Sequence, residues 1–102
     1  MENRNNQKID QIIHDGMYKN LDRIEELLVH LYQMVKRDPE NEELTRIFEE
    51  VLYIAQGQVR ANVDVSDAYF GKEMKEYSMK IAKRREESLR GLSEQVKKGR
   101  TK

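Results

Sequence analysis

Apolar residues in the first third of this chain recur at a helical spacing that few other folds can use. Ile9, Ile13, Met17, Leu21, Ile24, Leu28, Leu31 and Val35 are separated by gaps of 4, 4, 4, 3, 4, 3 and 4. Such gaps hold one face of an α-helix apolar, whereas a half-buried strand needs strict alternation. The spacing predicts a helix over about 6–37, with Ile12, Leu27 and Met34 widening its stripe to the width of a core-facing surface. Gly16, after His14-Asp15, is where a kink or split would fall, and the continuity of the stripe favours one helix.

Punctuation divides the remainder. The one proline, Pro39, lies in Asp38-Pro39-Glu40-Asn41-Glu42-Glu43. This reads as a helix start with Asp38 as cap, proline in the first turn and acids facing the positive end of the helix dipole. A second helix is expected over about 39–61, with Leu44, Ile47, Phe48, Val51, Leu52, Ile54, Ala55 and Val59 inward. Asn62-Val63-Asp64-Val65-Ser66-Asp67 alternates β-branched residues with capping candidates and is taken as the second break. The third helix then covers about 66–97 through Phe70, Met74, Tyr77, Ile81, Leu89, Leu92 and Val96. Its stripe degrades after Ile81, where Arg85 and Ser88 replace apolar residues, and Gly91 is a candidate stop.

These elements specify an all-α fold, an antiparallel bundle of three long helices in one domain spanning 1–102, with 1–5 and 98–102 flexible. The charged share of 37% suits long helices that bury one stripe and solvate the rest. Chain lengths place the ends of the first and third helices beyond the second, at opposite ends of the bundle. The projecting start of the first helix carries Ile9, Ile12 and Ile13, an apolar group that a second copy would cover. A homo-oligomer, most simply a two-fold dimer, is the expectation.

Charge is segregated, although the 19 basic and 19 acidic residues cancel. From Lys83 onward eight basic residues face three acidic ones. Arg84, Arg85, Arg90, Lys97, Lys98 and Arg100 are the candidate contacts to nucleic-acid phosphates. The same residues also fit a solvated helix end, because Glu86–Arg90 and Glu94–Lys98 are favourable i,i+4 pairs and cations suit a helix C-terminus. No aromatic residue interleaves them for base stacking. The acidic stretch from Asp38 to Glu50 lies near that basic end in an up-down-up bundle and can attract it.

Chemistry is poorly represented. Glu26 and His30 are i,i+4 neighbours, yet the repeated Glu-x-x-His of di-iron bundles is absent, so no metal is expected. The serines have no histidine at a telling offset, there is no Gly-x-Ser-x-Gly elbow and the five glycines form no phosphate loop. Cysteine is absent, and with it any thiol nucleophile or disulfide framework. No catalytic residue and no cofactor are assigned. No apolar run approaches the ~18 residues of a membrane span, and the start of the chain lacks a signal-peptide core, so a cytoplasmic location without membrane contact is expected.

The tyrosines and methionines flank the stripes, where an apolar body with a wet tip belongs. Tyr69, Phe70, Met74 and Tyr77, beside the expected second break, are the candidate partner-binding residues. In general build, about a hundred charged helical residues without cysteine, the chain resembles many small bacterial and phage proteins, among them the helical bacteriocin immunity proteins. No motif residue carries that resemblance, so no residue role follows from it. The functional expectation is a non-enzymatic protein acting through protein–protein contact, as an adaptor, inhibitor or immunity-type factor. The alternative is a nucleic-acid-associated regulator using the basic 83–102 end.

Overall fold

The computed structural model describes residues 3–100, with side chains described for 8–99. It is an all-α three-helix bundle: α1 (Asn3–Arg37), α2 (Glu42–Tyr69) and α3 (Lys72–Arg100), each packed against the other two. The helices run into both segments expected to be flexible, while residues 1–2 and 101–102 lie outside the described residues. Gly16 does not interrupt α1, and no described residue has a positive φ.

The first turn forms where expected, but with a different cap. Asp38, Pro39 and Glu40 make the connection itself, and Asn41 begins α2 by accepting the Leu44 N–H at 3.1 Å. Asp38 is one step removed, accepting from the Asn41 side chain at 3.2 Å. Glu42 and Glu43 still occupy the first turn, where the helix dipole favours them.

The second break is displaced. Residues 62–66 continue α2 without interruption, because Asn62 and Ser66 extend the buried row Phe48, Leu52, Ala55, Val59 at helical spacing. Their small polar side chains face the core instead of capping a new helix. The chain turns at Phe70, whose backbone is extended and whose N–H reaches Ser66 O at 3.2 Å, and at Gly71. With α2 at 28 residues and α3 at 29, the two are nearly equal, so only the start of α1 extends past its neighbours.

The core has two characters. Leu21, Leu28, Leu31 and Val35 of α1 meet Phe48, Leu52, Ala55 and Val59 of α2 and Ala82, Leu89 and Val96 of α3 in a dry apolar cluster. Towards the Phe70 turn the buried residues become Asp10, His14, Asn62, Ser66 and Ser78. The Tyr18 hydroxyl donates to Ser78 O at 3.2 Å across this region. The expected stripe misplaced Ile9 and Ile13, which are exposed, while Asp10 and His14 point inward. Each gap of four overshoots a full turn by ~40°, so three in succession rotate Ile9 about 120° from Leu21. In the first half of α3 the buried positions fall one residue later than expected, at Ser78 and Ala82 in place of Tyr77 and Ile81, and the stripe then continues through Arg85 to Leu89, Leu92 and Val96 as expected. Its second half is therefore as well buried as its first, Gly91 does not end it, and Tyr77 is left outside.

Candidate partner-docking face

α3 occupies one side of the α1/α2 pair and leaves the other side open. On α1, the residues that meet α3 include His14, Tyr18, Asp22 and Glu25. On α2, the residues beside α3 are Gln56, Val59, Arg60 and Val63, which share a groove with Met79, Ala82 and Lys83. The flank of each helix away from α3 carries a second apolar row. On α1 the row is Ile13, Leu27 and Met34, interrupted by the polar Asn20, and on α2 it is Ile47, Ile54, Ala61 and Ala68, each at seven-residue intervals. A seven-residue repeat drifts only ~20° per step, so each row holds one face for its whole length. Leu27 is 49% exposed and Ile54 57%. Met17, Ile24, Val51, Gln58 and Val65, each half-buried, form the floor between the rows.

At the Phe70 end the face opens into a groove of about 820 Å³ between Ile9 and Ile13 of α1 and Tyr69 of α2, with Met74 of α3 at its edge. The expected oligomer residues and the expected partner residues thus meet at one place, although 56 residues separate Ile13 from Tyr69. They do not all present themselves to a partner. Tyr69 is 76% exposed and Met74 half-buried, but Phe70 is only 6% exposed and packs at 6.3 Å from the His14 ring. Phe70 is therefore a core residue that anchors the turn. Tyr77 is exposed and stacks on His14 at 5.3 Å, and Ile12 faces solvent on the far side of α1 from Leu28.

The groove floor holds a tertiary cap. Asp10 Oδ2 accepts the Gly71 N–H at 3.0 Å, so a carboxylate from α1 sits at the N-terminus of α3. Next to it, both ring nitrogens of His14 are buried without a hydrogen-bond partner, the nearest carboxylate oxygen, on Asp15, lying 3.6 Å away. Asn62 Nδ2, Ser66 Oγ and Ser78 Oγ are buried in the same condition. The capping candidates near 62–67 are local to the expected break and do not start α3. A capping acid 61 positions upstream leaves no local signal.

The basic end is divided by the fold. Arg85 faces inward, 2.7 Å from Asp22 and hydrogen-bonded to Glu25, so it joins α3 to α1 and is taken out of any phosphate-binding set. Burial pushes the Glu25 carboxyl above the ordinary glutamate value, against the pull of Arg85 and with Asp22 adding to the rise. For Arg85, desolvation works against the charge, but the hydrogen bond to Asp22 and the two carboxylates outweigh it and hold its pKa up. Arg84, Arg90 and Lys97 face solvent, Lys98 lies near Tyr32 and Pro39, and the Arg100 side chain is outside the described residues. The α1–α2 turn does adjoin the end of α3, as the up-down-up order requires. Glu26 and His30 are both exposed, and no group of three or more potential metal ligands is found among the described residues. No described helix is long and apolar enough to cross a membrane.

No known protein family matches the chain, and neither a curated protein nor a solved structure matches it.

Proposed function

We propose that this chain is a non-enzymatic interaction protein that docks a protein partner on the open face of α1 and α2. One observation carries the reading: two adjoining helices expose large apolar side chains on the same face, Ile13, Leu27 and Met34 of α1 beside Ile47 and Ile54 of α2. Scattered exposed apolar residues need no explanation, but a cluster of this kind on two adjoining helices marks a surface that is covered in use. Two parallel ridges with a groove between them accept the apolar side of a helix, read at i, i+3, i+4 and i+7. The neighbouring charges set orientation and contribute little affinity of their own.

Site-specific photo-crosslinking tests this reading in the cell that makes the protein. A photoreactive residue placed at Leu27 or at Ile54 should give discrete protein adducts, and one at Arg84 on α3 should give none. Adducts to nucleic acid from Arg84, with none from the α1/α2 face, would replace this reading by the nucleic-acid alternative.

A further inference from the structure

The rows that flank the open face carry charge in a pattern that identifies an occupant. Outside the apolar row of α1, the next positions at seven-residue intervals are Arg23, His30 and Arg37. Outside the apolar row of α2 the equivalent positions are Glu43, Glu50 and Gly57. All six are exposed. One rim carries the cations Arg23 and Arg37 and the other the carboxylates Glu43 and Glu50.

The levels of these charges also match. The short turn between Arg37 and Glu42 and the contact of the Tyr32 and Phe48 rings, 6.5 Å apart, fix the register of the antiparallel pair. In that register Met34 lies level with Ile47, Leu27 with Ile54, Arg37 with Glu43 and His30 with Glu50. Glu50 also meets Arg46 on its own helix at 3.1 Å, an exposed pair of little strength.

We infer that the face is occupied by a second copy of this chain, related by a two-fold axis parallel to the bundle, so that α1 of each copy packs beside α2 of the other. This inference rests on the interaction reading above and names its partner. The parallel axis keeps each residue at its own level. It therefore brings Arg37 opposite Glu43 of the second copy and His30 opposite Glu50 of the second copy, twice over. The perpendicular two-fold would set α1 on α1, with basic rim on basic rim, and is disfavoured by like charge. The result is a core of four helices, α1 and α2 from each copy, with the two α3 helices outside. From Ile13 to Met34 the face is about 32 Å long and, across two helices, about 20 Å wide. That covers on the order of 600–700 Å² per copy, within reach of the ~800 Å² per partner of a specific interface. The exposed Ile9 and Tyr69 extend it at the open end.

Sedimentation equilibrium of the full chain tests the inference. The wild type should be a dimer at tens of micromolar, and Leu27→Glu with Ile54→Glu should give a monomer of unchanged helicity, since both side chains are half in solvent already. Rim substitutions supply a second test that leaves the apolar surface intact. Arg37→Glu alone and Glu43→Arg alone should each weaken the dimer several-fold, and the two together should restore it, because each reversed charge then meets the other across the axis. A monomeric wild type at ~100 μM overturns the second copy, as does a dimer indifferent to Leu27→Glu and Ile54→Glu. A double charge reversal weaker than either single one overturns the parallel axis. If the wild type is monomeric yet Leu27 crosslinks to a different protein, the second copy is wrong and the interaction reading stands. If neither Leu27 nor Ile54 crosslinks to any protein, the interaction reading itself fails.

Discussion

Asp10 of α1 accepts a hydrogen bond from the backbone N–H of Gly71, 61 residues later in the chain, at 3.0 Å. A glutamate three residues into a helix often fills this place from within the same helix, reaching back to the N-cap amide. Here the acid comes from another helix and is itself buried, so it fixes the height of α1 against the α2–α3 turn as well as starting α3. Asp10→Ala should lower stability by about 1–2 kcal/mol, at or above the usual cost of a lost cap, and Asp10→Asn by less, because the amide oxygen can still accept. Urea denaturation of both variants checks this. Unchanged midpoints for Asp10→Ala would mean that the cap contributes nothing.

Leu27 and Leu28 are adjacent in sequence and opposite in consequence. Leu28 is completely buried, so Leu28→Ala should cost ~2–5 kcal/mol through lost transfer energy and a residual cavity. Leu27 stands half in solvent, and Leu27→Ala should change the stability of the isolated chain by about 0.5 kcal/mol or less. The comparison is made by thermal and urea unfolding at concentrations too low for association. A large loss at Leu27 in dilute solution would show that this row is not an open face.

Glu25 supplies a pH signature. Its value in the folded chain lies above that in the unfolded chain, chiefly because of burial, so the folded state holds the proton more readily. The sign follows from linkage: this contribution is fully present below the unfolded value and is lost as pH rises through the raised folded one. Glu25→Gln removes the titration. The stability of Glu25→Gln relative to wild type should therefore increase as pH rises from the ordinary glutamate value to just above it, and then stay level. Urea melts at a series of pH values give the difference directly, and a difference that falls over that window would contradict the assignment.

The basic end of α3 is the rival surface. With Arg85 engaged by Asp22 and Glu25, Arg84→Gln, Arg90→Gln and Lys97→Gln together should leave crosslinking from Leu27 and Ile54 unchanged. Titration into labelled duplex DNA at ~0.15 M salt should show no binding. Tight binding that falls steeply with added salt would instead identify phosphate contacts and favour the regulator.

Much of the fold is legible residue by residue. The gaps from Leu21 to Val35, the lone Pro39 and the acids after it specify α1, the first turn and the start of α2 to within a few residues. The second break lies later than the sequence suggests because Asn62 and Ser66 have two uses, as caps and as small buried polar residues, and local sequence does not say which. Of the candidate contacts, Ile9, Ile13, Tyr69 and Met74 share one groove with the buried Phe70 in its wall, whereas Arg85 is engaged between α3 and α1.

Helical period is a local property, set by the spacing of side chains along one backbone, and so the sequence by itself determined three amphipathic helices and the class of the fold. It also wrote two apolar rows on α1 and two on α2, because three positions in each heptad are apolar or small. Which row is covered is not a local property. α3 is a single helix with one stripe, and it can lie against only one side of the α1/α2 pair. The tertiary structure decided that side through Arg85 with Asp22 and Glu25, Tyr18 with Ser78 and Asp10 with Gly71, contacts that join residues some sixty positions apart. Leu27 and Ile54 were left in solvent because the described residues form no fourth helix to cover them.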